Sequence, residues 1–175
     1  MRKKEIIDFI TGVSLLILAS CILVLPSFKV TNIKVVLICI YSFYTIFKLT
    51  QFIFIIKEKD FESLFTSLIS VMALIATILL KQTTKNIVLI LMIWMGLMSL
   101  TKLKKADFYN DRENKMWILR LYMLFVFITS GLLTGINLFY KPAIQILIIG
   151  YFFFINSLLD TIDPIADYLM RSSKK

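Results

Sequence analysis

The chain of 175 residues has no histidine, two cysteines, three prolines and five glycines. Each shortage removes a class of function. Without histidine there is no Ser-His or Cys-His pair to activate a nucleophile. HExxH sites and the usual imidazole-bearing zinc sets are excluded as well. No GxGxxG or GxxxxGKS/T phosphate loop occurs. Cys21 and Cys39 both fall in apolar runs, so they read as small buried hydrophobes rather than a disulfide framework or a metal site. So few Gly and Pro leave no room for a long flexible linker. The expectation is a protein that is not an enzyme, with no cofactor and no metal.

Charge is also scarce, at 18% of residues, against a hydrophobic fraction of 59% and a mean hydropathy of +0.85. Soluble domains carry about 45–50% apolar residues. About 20 apolar residues cross a hydrocarbon core of roughly 30 Å. Six runs approach or meet that length: Ile6–Leu25, Ile33–Ile56, Phe61–Leu80, Ile87–Leu103, Met116–Phe139 and Ala143–Ile162. The fold class is therefore all-α: an integral membrane bundle of six transmembrane helices, forming one domain over residues 1–175. Its three hairpins span about 6–56, 61–103 and 116–162, with a tail at 163–175.

The net charge of +9 does not argue for nucleic acid, because the basic residues sit at the ends of apolar runs, where they meet lipid headgroups. The bilayer is the expected partner; a second copy or another membrane protein is compatible with the pattern. With the N-terminus inside, thirteen Lys and Arg fall on the inner side and five (Lys29, Lys34, Lys81, Lys85, Lys141) in the outer turns. That bias predicts the cytoplasmic membrane with both termini cytoplasmic. No Asp or Glu lies in an outer turn. Leu18-Ala19-Ser20-Cys21 mimics a lipoprotein cleavage box, but the apolar run continues past it as CILVLP, and Glu5 and Asp8 precede it. A signal peptide is built otherwise, so the segment reads as the first span.

An internal repeat underlies the six runs. NIKVVLICIYSFYTIFKL from Asn32 lies over NIVLILMIWMGLMSLTKL from Asn86 without a gap, matching Asn with Asn, Ser42 with Gly96, Thr45 with Ser99 and Lys48 with Lys102. The same shift of 54 brings Asp8 onto Glu62, and AIQILIIGYFFFINSLLD follows the pattern in the third hairpin.

Six charged residues then stand out at matched depths. Asp8 is 18 residues before Pro26 and Lys48 is 17 after Thr31. Glu62 is 19 before Lys81 and Lys102 is 17 after Lys85. Arg120 is 20 before Tyr140 and Asp160 is 18 after Pro142. At about 1.5 Å per residue, each hairpin offers an acid and a base at nearly one level. Three readings fit: independent snorkelling into headgroups, structural charge pairs Asp8–Lys48, Glu62–Lys102 and Arg120–Asp160, or a proton relay. Among the weaker signals, Gly131 and Gly135 form a GxxxG that suits helix packing. Asp160 and Asp163 form a DxxD that reads as a helix exit beside Pro164. Asn156 and Ser157 suit cross-helix hydrogen bonds, Tyr151 to Phe154 suit lipid and core contact, and Trp94 lies deep in its span.

FITGVSLLILASCILVLPSF followed by VVLICIYSFYTIFKLTQFI resembles the HdeD-like short-repeat family of bacterial membrane proteins, with Gly12 and Pro26 in the first helix and Ser42 and Thr45 in the second. IVLILMIWMGLMSLTKL and IQILIIGYFFFINSLL repeat the second element with Gly96 and Gly150. The resemblance implies a non-enzymatic multi-pass membrane protein in acid or envelope stress resistance. The alternative is a transport component, such as the six-span substrate-binding subunit of a vitamin importer, which needs a polar pocket open to the outside.

Overall fold

The computed structural model describes residues 3–55, 61–81, 83–111, 115–139 and 141–172. Within them every regular element is helical: α1 Lys3–Val24, α2 Ile33–Phe54, α3 Phe61–Leu79, α4 Thr84–Asn110, α5 Met116–Asn137 and α6 Pro142–Ser172, with a short 3-10 turn at Leu25–Phe28. All six α-helices are long and apolar enough to cross a membrane. The protein is a multi-pass membrane bundle. Arg2, Ile56, Lys57, Lys59, Arg112, Tyr140, Lys174 and Lys175, which enter the span limits, charge bias and depth counts above, lie outside the described residues.

Two helices outrun their apolar stretches. α4 continues seven residues past Leu103, and α6 continues ten past Ile162. The segment KKADFYN is charged, which looks like loop, yet most of its residues form helix readily once a preceding span has paid for nucleation. At about 1.5 Å per residue, α4 and α6 are about 40 and 46 Å long, well beyond the hydrocarbon core. Pro164 sits inside α6; it deprives the Asp160 carbonyl of its usual N–H, a loss that membrane helices tolerate when neighbours re-satisfy the backbone. The residues expected as a tail from 163 are therefore helix through Ser172.

The helices form a ring. The most extensive contacts join α1 to α6, α2 to α3 and α4 to α5, while the members of each hairpin touch less. Even and odd helices thus alternate with a three-fold pattern, and α2 also reaches α6 across the centre. We call the end where α1 begins and α6 finishes the near end, and the other the far end. The far-end turns are tied by side chains: Asn32 Oδ1 accepts from Val35 N and caps α2, Thr83 Oγ1 accepts from Asn86 N and caps α4, and Gln145 Nε2 donates to Leu138 O. Asn32 and Asn86, matched in the repeat, therefore differ in role: one is the cap and the other is the residue capped.

The interior is more varied than the surface. α3 turns a stripe of small polar residues inward, Ser63, Thr66, Ser67, Ser70 and Thr77, which lets α2 approach closely; Ser67 Oγ donates to Thr45 O on α2. Facing the stripe is an aromatic core of Tyr41, Tyr44, Trp94, Phe127, Phe152 and Phe153. Large apolar side chains such as Ile17, Met72, Phe125 and Ile136 point outward, as a lipid-facing surface requires. Cys21 and Cys39 are also exposed, a correction to their expected burial. In a bilayer both faces of a helix are apolar, so hydrophobic character does not select the inside.

The buried glycines differ in what they face. At Gly135 a Cβ would meet chiefly the terminal methyl of Met92 on α4, whereas at Gly131 it would meet the Met95 side chain and the buried Phe152 ring. At Gly12 a Cβ would come within 3.0 Å of the Thr161 backbone on α6. Backbone cannot swing aside. Gly12→Ala should therefore destabilise the detergent-solubilised protein by about 1–3 kcal/mol. Gly135→Ala should stay near neutral, because repacking of the Met92 methyl is offset by the roughly 1 kcal/mol that Ala gains over Gly in a helix. Equal thermal shifts for the two variants would contradict this division.

Candidate functional site

The near ends of α2 to α6 converge on a cluster of buried charge. Its frame is a ladder between α4 and α6, which run in the same direction though they are not neighbours in the ring. Lys102 Nζ donates to Asp160 Oδ1 at 2.7 Å, Lys105 Nζ lies 2.8 Å from Asp163 Oδ2, and Tyr109 OH donates to Asp167 Oδ2 at 3.3 Å. Each rung joins residues 58 apart in sequence, and both sides advance by three and then four residues. That spacing keeps the three positions on one face of each helix.

Other helices close on this ladder. From α2, Lys48 Nζ reaches Asp160 Oδ2 at 3.3 Å. From α3, Glu62 Oε2 meets Lys105 Nζ at 2.5 Å. From α5, Arg120 donates from Nε and Nη2 to the two Asp163 oxygens at 2.9 and 3.3 Å, and Nη2 lies 3.7 Å from Asp167. Its guanidinium carbon sits 3.6 Å over the Tyr109 ring, and Lys102 lies 5.3 Å from the Phe127 ring centre. These are stacking distances that favour a cation. Among the described residues these ion pairs join four cations (Lys48, Lys102, Lys105, Arg120) to four carboxylates (Glu62, Asp160, Asp163, Asp167). Pairing with opposite charge in a desolvated site is what makes such burial tolerable.

All six charges singled out in the sequence lie at this end, but their partners differ from the hairpin pairs expected. Lys102 pairs with Asp160 rather than Glu62, Glu62 with Lys105, and Arg120 with Asp163. Lys48 pairs with Asp160, while Asp8 Oδ1 accepts from Gln51 Nε2 at 2.6 Å. Depth fixes one coordinate only; which helices face each other fixes the rest. The DxxD is not a solvated exit: its two carboxylates each hold two cationic side chains. Lys105, Tyr109 and Asp167 were missed. The signal available was the shared spacing of Lys102, Lys105 and Tyr109 with Asp160, Asp163 and Asp167.

One helical turn farther in, a neutral polar layer follows. Asn156 Nδ2 donates to Tyr44 OH at 2.7 Å, Ser157 Oγ lies 3.4 Å from the same oxygen, and Trp94 Nε1 donates to Ser70 Oγ at 3.2 Å. Beyond it the buried centre is mainly apolar, with Leu37, Ile40, Leu91, Ile146 and Ile149, and Thr77, Thr134 and Gln145 are buried around it toward the far end. Within the cluster, Arg120 Nη1 has no hydrogen-bond partner. A cavity of about 30 Å³ bordered by Arg120, Glu62, Lys102, Lys105, Asp160 and Asp163 has room for a single water. Among the described residues no group of His, Cys, Asp and Glu is arranged to hold a metal ion. Chemically, the site can fasten five helices together with charge-assisted bonds. No protein-family model, curated protein or solved structure matches the chain.

Proposed function

We propose that this is a non-enzymatic protein of the cytoplasmic membrane, of the HdeD-like kind, with both termini cytoplasmic and a role in acid or envelope stress resistance. The observation that carries the reading is the distribution of polarity along the bundle axis. Charged side chains cluster in the near half, whereas among the described polar residues the far half buries only Thr77, Thr134 and Gln145, each already donating to a backbone carbonyl around an apolar centre. A conduction path needs polar groups or water through the whole span, and a substrate-binding subunit needs a polar pocket at the far end. Neither is supported by that distribution. The near-end cluster acts as a structural clamp, closing the ring on the cytoplasmic side.

The decisive comparison is growth of a deletion strain. It should lose survival in acid and grow normally when vitamins are limiting, and the purified protein in liposomes should leave an imposed pH gradient intact. A vitamin requirement with unchanged acid survival would replace this reading with the importer subunit. For the topology, a reporter fused after Lys175 should score as cytoplasmic and one inserted between Thr83 and Thr84 as external.

A further inference from the structure

Between α5 and α6, on the lipid side of the far half, runs a groove of about 770 Å³. Phe125, Ser130 and Leu133 line it from α5, Leu147 and Tyr151 from α6, and Leu23 of α1 closes one side. The lining positions of α5 run from Phe125 to Asn137, twelve residue steps or about 18 Å along the axis. One leaflet of the hydrocarbon core is about 15 Å deep. The groove therefore runs along the bundle for one leaflet and stops.

The polar side chains that α5 contributes are already bonded. Thr129, Ser130 and Thr134 hydroxyls donate to carbonyls of their own helix, those of Phe125, Phe127 and Ser130, and Asn137 Nδ2 donates to Leu133 O. What remains for an occupant is apolar surface, with Phe125, Leu133 and Tyr151 all more than half exposed. The groove is open to the lipid along its length, and that length matches the one-leaflet reach of an acyl chain. At the far end, Lys141 immediately precedes α6, and the 3-10 turn that Lys29 caps packs against α6. Both lysines are exposed, and the far-end turns contain no Asp or Glu.

We propose that this groove is a lipid site, seating an acyl chain of a phospholipid whose anionic headgroup is held at the far end by Lys29 and Lys141. The hydrocarbon replaces contacts that the separation of α5 from α6 leaves open, and the two ammonium groups select the charge of the headgroup. The site is independent of the near-end clamp and of the role in stress, and it holds whichever face of the membrane the far end occupies.

Native mass spectrometry can test it. The probe is protein extracted in mild detergent from bilayers containing equal phosphatidylglycerol and phosphatidylcholine. The wild type should retain one phospholipid per monomer, with phosphatidylglycerol preferred. Ser130→Phe, which fills the groove floor, should lose most of the bound lipid while keeping its helical circular dichroism. Lys29→Gln with Lys141→Gln, both on exposed turns, should keep the adduct and lose the preference for phosphatidylglycerol. A wild type without retained lipid, or Ser130→Phe retaining as much, overturns the site. A dimer released by groove filling assigns the surface to a second copy instead, and an unchanged headgroup preference in the lysine variant overturns the anionic assignment.

Discussion

Replacing Trp94 by Ala should cost the folded bundle about 2–3 kcal/mol, read from unfolding in mixed detergent micelles. In water a buried Trp→Ala change removes about 3–5 kcal/mol, part of it lost transfer energy and part the void left behind. In a membrane the unfolded helices still lie in hydrocarbon, so the transfer part shrinks and packing decides. Here packing is dense. Trp94 is 1% exposed, and its ring lies 5.3–6.3 Å from those of Tyr41, Tyr44, Phe127, Phe152 and Phe153. At about 24 cal/mol per Å³ of cavity, an indole-sized void in that setting accounts for the expected loss. Trp94→Phe keeps most of the volume and removes the bond to Ser70, so it should cost under about 1 kcal/mol, the usual size of one interhelical hydrogen bond in a bilayer. Equal losses for the two variants would mean that the hydrogen bond, not the packing, anchors α4 to α3.

The six spans were legible because the bilayer imposes a length of apolar sequence that few other structures need. The charged residues were legible for a related reason: Lys48, Arg120 and Asp160 interrupt apolar runs where a charge is costly. Three things were not. The helical continuation of α4 through Lys105 and Tyr109 was hidden because KKADFYN has left the apolar run that marks a span. The partners of Lys102 and Glu62 were hidden because matched depth says nothing of direction around the helix axis, and each residue turns by about 100°. The outward placement of Cys21 and Cys39 was hidden because lipid and core present the same apolar medium. The small polar stripe of α3, Ser63 to Thr77, could have been found: its spacing keeps one face, and that face alone lacks bulk.

Asp160→Asn should destabilise the protein by about 2–4 kcal/mol. Its carboxylate holds Lys48 at 3.3 Å and Lys102 at 2.7 Å, and all three side chains are only 13–14% exposed. Removing one member of a buried ion pair costs about 3–5 kcal/mol, because the partner is left charged and desolvated. Here two lysines lose their common acceptor, which raises the loss, and both lie near a membrane surface toward which they can stretch, which lowers it. The same physics predicts partial rescue. Asp160→Leu combined with Lys48→Met and Lys102→Met removes this centre whole and fills the space with apolar side chains. Lys105 and Arg120 then face Glu62, Asp163 and Asp167 with one carboxylate in excess. Stability should therefore recover only in part, by about 1–2 kcal/mol over Asp160→Asn. Snorkelling lysines, each solvated alone, predict otherwise: Asp160→Asn and Lys48→Met would then add, with no coupling between them. A double-mutant cycle therefore separates a clamp from independent charges. The coupling of Lys48 to Asp160 should exceed its coupling to Asp8, since the Asp8 carboxylate is engaged by Gln51. Larger coupling to Asp8 would restore the pairing within the first hairpin and move the clamp off α6.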